Sequence, residues 1–194
     1  MKRFFLYLLL GVFGLPLLSS CNKDDEFNPD NQNADEIAYD GNRKILVAYF
    51  SATGNTQRLA EQVISATGAD VFRIEAAEPY AENPYDDTDR IQNESYNDLR
   101  PAVATLPDNV EEYDIILVGS PIWWHNPAMV VCTFLENYDL DGKIIVPFFT
   151  YGATTYLQQS LDKINEVTPQ SIHLRTYPGN GGVENWLRDI HIIE

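Results

Sequence analysis

Ser51-Ala52-Thr53-Gly54-Asn55-Thr56 is the run best suited to chemistry at a charged group. It follows the dense apolar segment Lys44–Phe50 (KILVAYF) and opens the amphipathic segment Asn55–Thr67, so it reads as a strand-to-helix turn. Free backbone N–H groups at a helix start point outward and attract anions. Ser51, Thr53, Asn55 and Thr56 add hydroxyl and amide donors, and Gly54 lets the backbone approach a ligand closely. Each hydrogen bond to a charged group contributes roughly 1.5–3 kcal/mol. Several together can hold a phosphate without any lysine or other cation. The GxxxxGK[ST] loop of a nucleoside triphosphatase is missing, and no GxGxxG follows this strand. The competing account is a plain helix cap, built from the same residue types. Position at the end of the first strand favours phosphate.

Two further runs leave dense apolar segments in the same way. Gly119-Ser120-Pro121-Ile122-Trp123-Trp124-His125-Asn126 follows Tyr113–Gly119, and Thr150-Tyr151-Gly152 follows Lys143–Phe149. Adjacent tryptophans in a loop are poor core material because they point different ways. One can cover a flat aromatic ligand while the other packs down, each such stack contributing about 0.5–1.5 kcal/mol beyond area burial. The alternative is a hydrophobic plug between loop and helix. His125 either titrates near a ligand or is a solvent-exposed loop residue, while His173 and His191 read as structural. No spacing of His, Cys, Asp or Glu suggests a metal site. The two cysteines, Cys21 and Cys132, form no CxxC pair. Cys132 lies in the apolar run Met129–Leu135 and reads as a buried helix residue.

The elements that must position these loops alternate. Strands are expected over Lys44–Phe50, Val71–Ile74, Tyr113–Gly119, Lys143–Phe149 and Ser171–Thr176. Helices are expected over Asn55–Thr67, Pro127–Asn137 with Pro at its first position, Thr155–Glu166, and a closing segment carrying Val183, Trp186, Leu187 and Ile190 at helical spacing. Glu78–Pro101 has no clean period and reads as an irregular excursion, ending at most in a short helix. Strand–helix alternation argues an α/β fold with a parallel sheet covered on both faces. Ligands in such sheets bind beyond the strands' C-terminal ends, at the switch between the first and third strands. Those ends carry the three loops.

LVAYFSATGNTQRLAE resembles the phosphate loop of the flavodoxin superfamily, and VGSPIWWHNPAMVVCTFLENYDLDGKIIVPFFTYG resembles its aromatic ring-binding loops. The chain is most similar to a bacterial flavodoxin-like family with a Pro-Ile-Trp-Trp signature. The resemblance runs from about Arg43 to Trp186. It implies a three-layer, doubly wound, five-stranded parallel sheet of order 2-1-3-4-5 that binds FMN. Ser51, Ala52, Thr53, Gly54, Asn55 and Thr56 would hold the phosphate. Pro121, Ile122, Trp123, Trp124, His125, Thr150, Tyr151 and Gly152 would surround the flavin ring, with Trp123 or Trp124 on one face and Tyr151 on the other. Relatives often carry a Ser-Gly-Gly-Ser-like run where this chain reads Tyr151-Gly152-Ala153-Thr154, and Gly where it has His125. A non-Gly residue there makes φ > 0 costlier, by roughly 1–2 kcal/mol. That would resist the carbonyl flip by which flavodoxins accept a hydrogen bond from N5–H of the semiquinone.

The resemblance implies an electron carrier with no catalytic acid, base or nucleophile. Two alternatives stay open: an FMN-dependent NAD(P)H:quinone-type oxidoreductase, and a flavin-free binding protein on the same scaffold. Arg90, Arg100 and Arg175 are scattered and do not form an NADPH phosphate site. Gly179-Asn180-Gly181-Gly182 reads as a plain turn before the last helix.

The front end reads as an address. Lys2 and Arg3 precede the apolar run Phe4–Leu18, shorter than the roughly 20 residues a spanning helix needs. It ends in Leu18-Ser19-Ser20-Cys21, which resembles a bacterial lipobox. Residues 1–20 are then a lipoprotein signal, and Cys21 is the lipidated residue holding the chain to a bilayer in the cell envelope, on the inner membrane, the outer membrane or the cell surface. The alternative is an ordinary secretory signal. Residues 21–42 read as an acidic tether, and residues 43–194 as the folded domain. Lys23-Asp24-Asp25 resembles the acidic sorting patch of some surface lipoproteins, or is simply tether. The formal charge is −16, from 13 Lys+Arg against 29 Asp+Glu, which argues against nucleic-acid binding. The acidity serves solubility, or presents a face to a basic redox partner protein; a small-molecule electron donor or acceptor is the other partner class.

Overall fold

The computed structural model describes residues 37–152 and 154–194. The signal, Cys21 and the tether up to residue 36 lie outside the described residues, as does Ala153. The elements are β1 (Ile45–Tyr49), α1 (Asn55–Thr67), β2 (Asp70–Arg73), α2 (Thr88–Tyr96), β3 (Ile115–Trp123), β4 (Asn126–Pro127), α3 (Met129–Glu136), β5 (Ile144–Thr150), α4 (Leu157–Val167), β6 (Ile172–His173) and α5 (Val183–Asp189). Five strands run parallel in the order β2-β1-β3-β5-β6, and β4 pairs antiparallel with the end of β3. This is the doubly wound order expected from the sequence, with one hairpin strand added.

The period-2 alternation of a strand buried on both faces explains the layers. Leu46, Ala48, Ile116, Val118 and Ile145 point to one side, against Val130, Val131, Phe134 and Leu135 of α3 and Leu157, Leu161 and Ile164 of α4. Val47, Tyr49, Ile115, Leu117 and Val146 point to the other, against Leu59, Ala60 and Val63 of α1 and Val183, Trp186 and Leu187 of α5. Full burial of each such side chain stabilises by roughly 1.5–3 kcal/mol. Gly119 permits the closest approach in the sheet: a Cβ there would lie 2.5 Å from the Phe148 ring and 2.8 Å from Tyr49 Cβ.

Several boundaries differ from the sequence reading for local physical reasons. Pro127 does not begin α3; it closes the hairpin opposite Ile122, and the helix starts at Met129 after Ala128 N–H donates to Ser120 Oγ (3.0 Å). Pro147 sits inside β5 at little cost. Ile144 N–H donates to Asp114 O on the β3 side, while Leu174 N–H reaches Ile145 O on the β6 side. Alternation therefore puts the missing donor of Pro147 where the short β6 has already ended. The excursion after β2 holds a 3-10 turn, Pro84–Asp87, and the nine-residue α2. Ile37 packs on the α1/α5 core, and its carbonyl lies 2.8 Å from His191 Nδ1, so the last tether residues contact the domain. Among the described residues no helix is long and apolar enough to cross a membrane.

Candidate functional site

The turn after β1 is open where a helix cap would close it. Gly54 is the N-cap of α1 at φ +81°, and no side chain caps the helix. Ser51 Oγ instead accepts from Gly54 N–H (3.1 Å) and shapes the loop, while Asn55 Nδ2 donates to Thr53 Oγ1 (3.1 Å). Among the described residues the N–H groups of Thr53, Asn55 and Thr56 donate to no protein acceptor. Those residues, with Ser51 and Ala52, line a cavity of about 1040 Å³. Unpaired amides at a helix start facing a cavity make an anion site, and the helix-cap account loses its cap. Gly54 itself does not line the cavity. Its open Cβ position shows that its contribution is the left-handed φ rather than close approach. A cation is present after all: Arg58, one turn into α1, lines the same cavity and donates through Nη2 to Asn55 Oδ1.

The loop after β3 is a tight hairpin. Trp123 pairs with Asn126, so Trp124 and His125 form a two-residue connection, and both have positive φ, +48° and +77°. That is the type I′ arrangement, normally filled by Asn-Gly. Both tryptophans line the cavity, but they differ in burial. Trp123 packs edge-on against Phe50 (5.2 Å between centroids) and Tyr80 (5.1 Å), partly buried against the core, and also lines the cavity. Trp124 stays 38% exposed at the cavity rim. Pro121 and Ile122 line the cavity beside them, and Thr150, Tyr151 and Gly152 line it from the end of β5. His125 does not line it. Its ring stacks on Tyr156 at 3.8 Å and lies parallel to Trp124 at 5.9 Å. The hairpin turns that side chain outward, towards α4.

Two walls escaped the sequence reading. Asn83, Pro84, Tyr85, Thr88 and Ile91, from the excursion, form one side, and Tyr177, Pro178 and Gly179, ahead of α5, form another. The Gly179 turn is thus part of the cavity rim, with its Cβ position 3.1 Å from Tyr151 Oη. For the second wall a signal was available: Tyr177-Pro178-Gly179 follows β6, at the sheet edge where the other loops stand. Behind the excursion wall, Tyr80 Oη donates to buried Glu94 (2.6 Å), Arg90 Nε donates to the same carboxylate (2.8 Å), and the guanidinium lies 3.9 Å over the Tyr80 ring. Burial, then the bond to Glu94, pushes the Tyr80 phenol well above its ordinary range, so it remains a donor. Burial also raises the Tyr151 phenol.

The remaining singled-out residues lie elsewhere. Cys132 is fully buried in α3, where burial pushes its thiol up to about 12. His173 bonds Thr168, and His191 bonds the Ile37 carbonyl. Among the described residues no cluster of His, Cys, Asp and Glu could hold a metal ion. The site therefore offers unpaired amides and one guanidinium at one end and aromatic walls along the rest. Those features fit a flat ring carrying a phosphate.

The flavodoxin family profile matches residues 44–186. The chain belongs to the flavodoxin family. Among solved structures, a candidate flavoprotein from Bacteroides eggerthii is 32% identical over 79% of this chain and 100% of its own, with a TM-score of 0.66. A second, from Bacteroides uniformis, is 30% identical over 76% of this chain and 96% of its own, also at 0.66. A flavoprotein in complex with FMN from Lactobacillus acidophilus shares the fold at 22% identity and a TM-score of 0.61, covering 76% of this chain and 97% of its own. No curated protein sequence matches the chain. In this flavodoxin-family chain the three loops described above stand at the C-terminal ends of β1, β3 and β5, where doubly wound sheets bind ligands.

Proposed function

We propose that this chain binds FMN non-covalently and carries electrons at a membrane surface, held there by a lipid on Cys21. The observation that carries the reading is the uncapped start of α1, whose amides open into an aromatic-walled cavity. When bound, FMN supplies reversible one- and two-electron chemistry through its ring. The chain's own residues do the rest. The amides of Thr53, Asn55 and Thr56 bind the phosphate, with the Thr53 hydroxyl and Arg58 at its edge. Trp124 and Tyr151 hold the ring between them and exclude water from it. The net charge of −16 resists the build-up of further negative charge on the ring, favouring a low-potential carrier. A lipid at Cys21 and the tether after it would keep the domain near the bilayer, within reach of a redox partner protein or a small electron donor or acceptor.

The visible spectrum of the full chain purified from membranes tests this, with the flavin identified by mass. Flavin bands and an FMN mass are expected, together with diacylglycerol on Cys21. Thr53→Asp, which sets a negative charge against the phosphate, should abolish flavin retention without unfolding the exposed loop. Colourless protein, or unchanged flavin content in that variant, overturns the loop assignment. Steady NADH or NADPH oxidation with a quinone would assign a reductase instead of a carrier.

A further inference from the structure

We propose that Ser95, on α2 and outside all three ligand loops, is the positioning residue that fixes the Trp124 wall of the site. The proposal rests on the FMN reading above. The Trp124-His125 turn lacks the residues its backbone prefers: both stand at positive φ without being Gly, Asn or Asp. Something outside the turn must hold it, and two hydroxyls do. Ser95 Oγ donates to Trp124 O at 2.7 Å, and Ser160 Oγ of α4 donates to His125 O at 3.3 Å.

The Ser95 arm is the shorter and the better connected. Ser95 is 8% and Asn126 7% exposed, and Asn126 Nδ2 donates to Ser95 Oγ at 2.8 Å. The Ser95 hydroxyl therefore accepts from one side of the hairpin and donates to the other. Its proton is committed to Trp124, which sets the direction of the 124–125 peptide. A carbonyl held this way is not free to turn towards a ligand, whatever φ the residue tolerates. The Tyr156 ring, stacked on His125 at 3.8 Å, holds the turn from the other flank. Ser95 belongs to the same helix as Glu94, which accepts from Tyr80 Oη, and Arg90, whose guanidinium lies over the Tyr80 ring; together they fasten α2 to the Trp123 cluster. The excursion is thus the clamp on the ring loop as well as a cavity wall.

The test is Ser95→Ala in the full chain. In the flavin-free protein, NMR should show the Trp124 indole and His125 amide signals broadened or doubled, and Ser95→Thr should restore them. In the FMN-loaded protein, binding should weaken about 2–10-fold, as expected for one lost hydrogen bond. The potential of the second electron should rise as water reaches the ring. Because Ser95 acts through Trp124, this rise should vanish when Ser95→Ala is made in a Trp124→Ala background. Unchanged NMR signals and potential in Ser95→Ala, or a shift that persists undiminished without Trp124, overturn the proposal. If Ser95→Ala does not fold, Ser160→Ala loosens the same turn from α4, and an unaltered turn and potential there count equally against it. Wild-type protein that takes up no FMN refutes the proposed cofactor, while the flavin-free NMR comparison still decides the clamp.

Discussion

The hydroxyls of Thr56 and Thr150 meet at 2.8 Å across the cavity floor, joining the first turn of α1 to the end of β5. Thr56 is 1% exposed, so its hydroxyl has little access to water. The bond couples the phosphate end of the site to the loop that carries Tyr151. Thr56→Val keeps the shape and removes the hydroxyl, leaving Thr150 unpaired. Losing a buried partner costs roughly 1–3 kcal/mol. The urea midpoint should fall accordingly, and FMN affinity, followed by quenching of flavin fluorescence, should drop about tenfold. Thr56→Ser should retain both; a Val variant equal to wild type in affinity would separate the two loops functionally.

The two tryptophans should respond oppositely to truncation. Trp123→Ala removes a ring wedged between Phe50 and Tyr80 and should cost about 3 kcal/mol of stability. Trp124→Ala, at the exposed rim, should leave the melting midpoint nearly unchanged. It should weaken FMN binding about tenfold and raise the potential of the second electron. Denaturant melts alongside redox titration distinguish the pair, and identical potentials would remove Trp124 from the ring site.

His173 should give the fold a pH dependence on the acid side. It is half-buried in β6, its Nε2 lies 2.8 Å from Thr168 Oγ1, and burial holds its pKa below the ordinary value. Thr168 already donates its proton to Ile164 O (2.7 Å), so the neutral imidazole donates from Nε2. In the unfolded chain histidine takes its proton at about pH 6.5. The folded state resists protonation below that point. This contribution to stability is therefore complete above about pH 6.5 and is lost as pH falls through the folded pKa. His173→Gln should flatten that part of the profile in urea melts between pH 8 and 5. A wild-type curve no steeper than the variant's would show that His173 carries none of it.

What could be read from the chain followed the strength of the physical signal. Runs such as Lys44–Phe50 and Lys143–Phe149 are apolar on both faces because helices cover both, and they became central strands. Ser51–Thr56 was legible because only a helix start needs that mixture of Gly and small donors. The excursion was opaque for the opposite reason. α2 is held by Tyr80, Glu94 and Arg90 and by Ser95, polar partners that leave no apolar period. Its cavity-lining residues, Asn83 to Ile91, could not be placed without those bonds. The Trp124-His125 turn was hidden too, since nothing in Trp-His announces positive φ. The bonds that hold it come from helices 29 and 35 residues away in the chain.

Arg58 offers the sharpest test of the phosphate end, because the sequence reading asked for none of its charge. It lines the cavity beside the open amides, and among the described residues no carboxylate pairs with it, although the chain carries 29 acidic residues. Among the described residues its side chain bonds Asn55 Oδ1, which leaves the other guanidinium donors for an anion. A phosphate monoester carries up to two negative charges. A cation about 4 Å away contributes about 1 kcal/mol per charge in water and more in a partly dry site. Arg58→Gln should therefore weaken FMN binding about tenfold while leaving riboflavin, which lacks the phosphate, unaffected. Raising salt should narrow the gap between wild type and variant, since exposed charges are screened. Paired fluorescence titrations with FMN and riboflavin at low and high salt measure both effects. Equal losses for the two ligands would mean that Arg58 shapes the loop rather than meeting the phosphate.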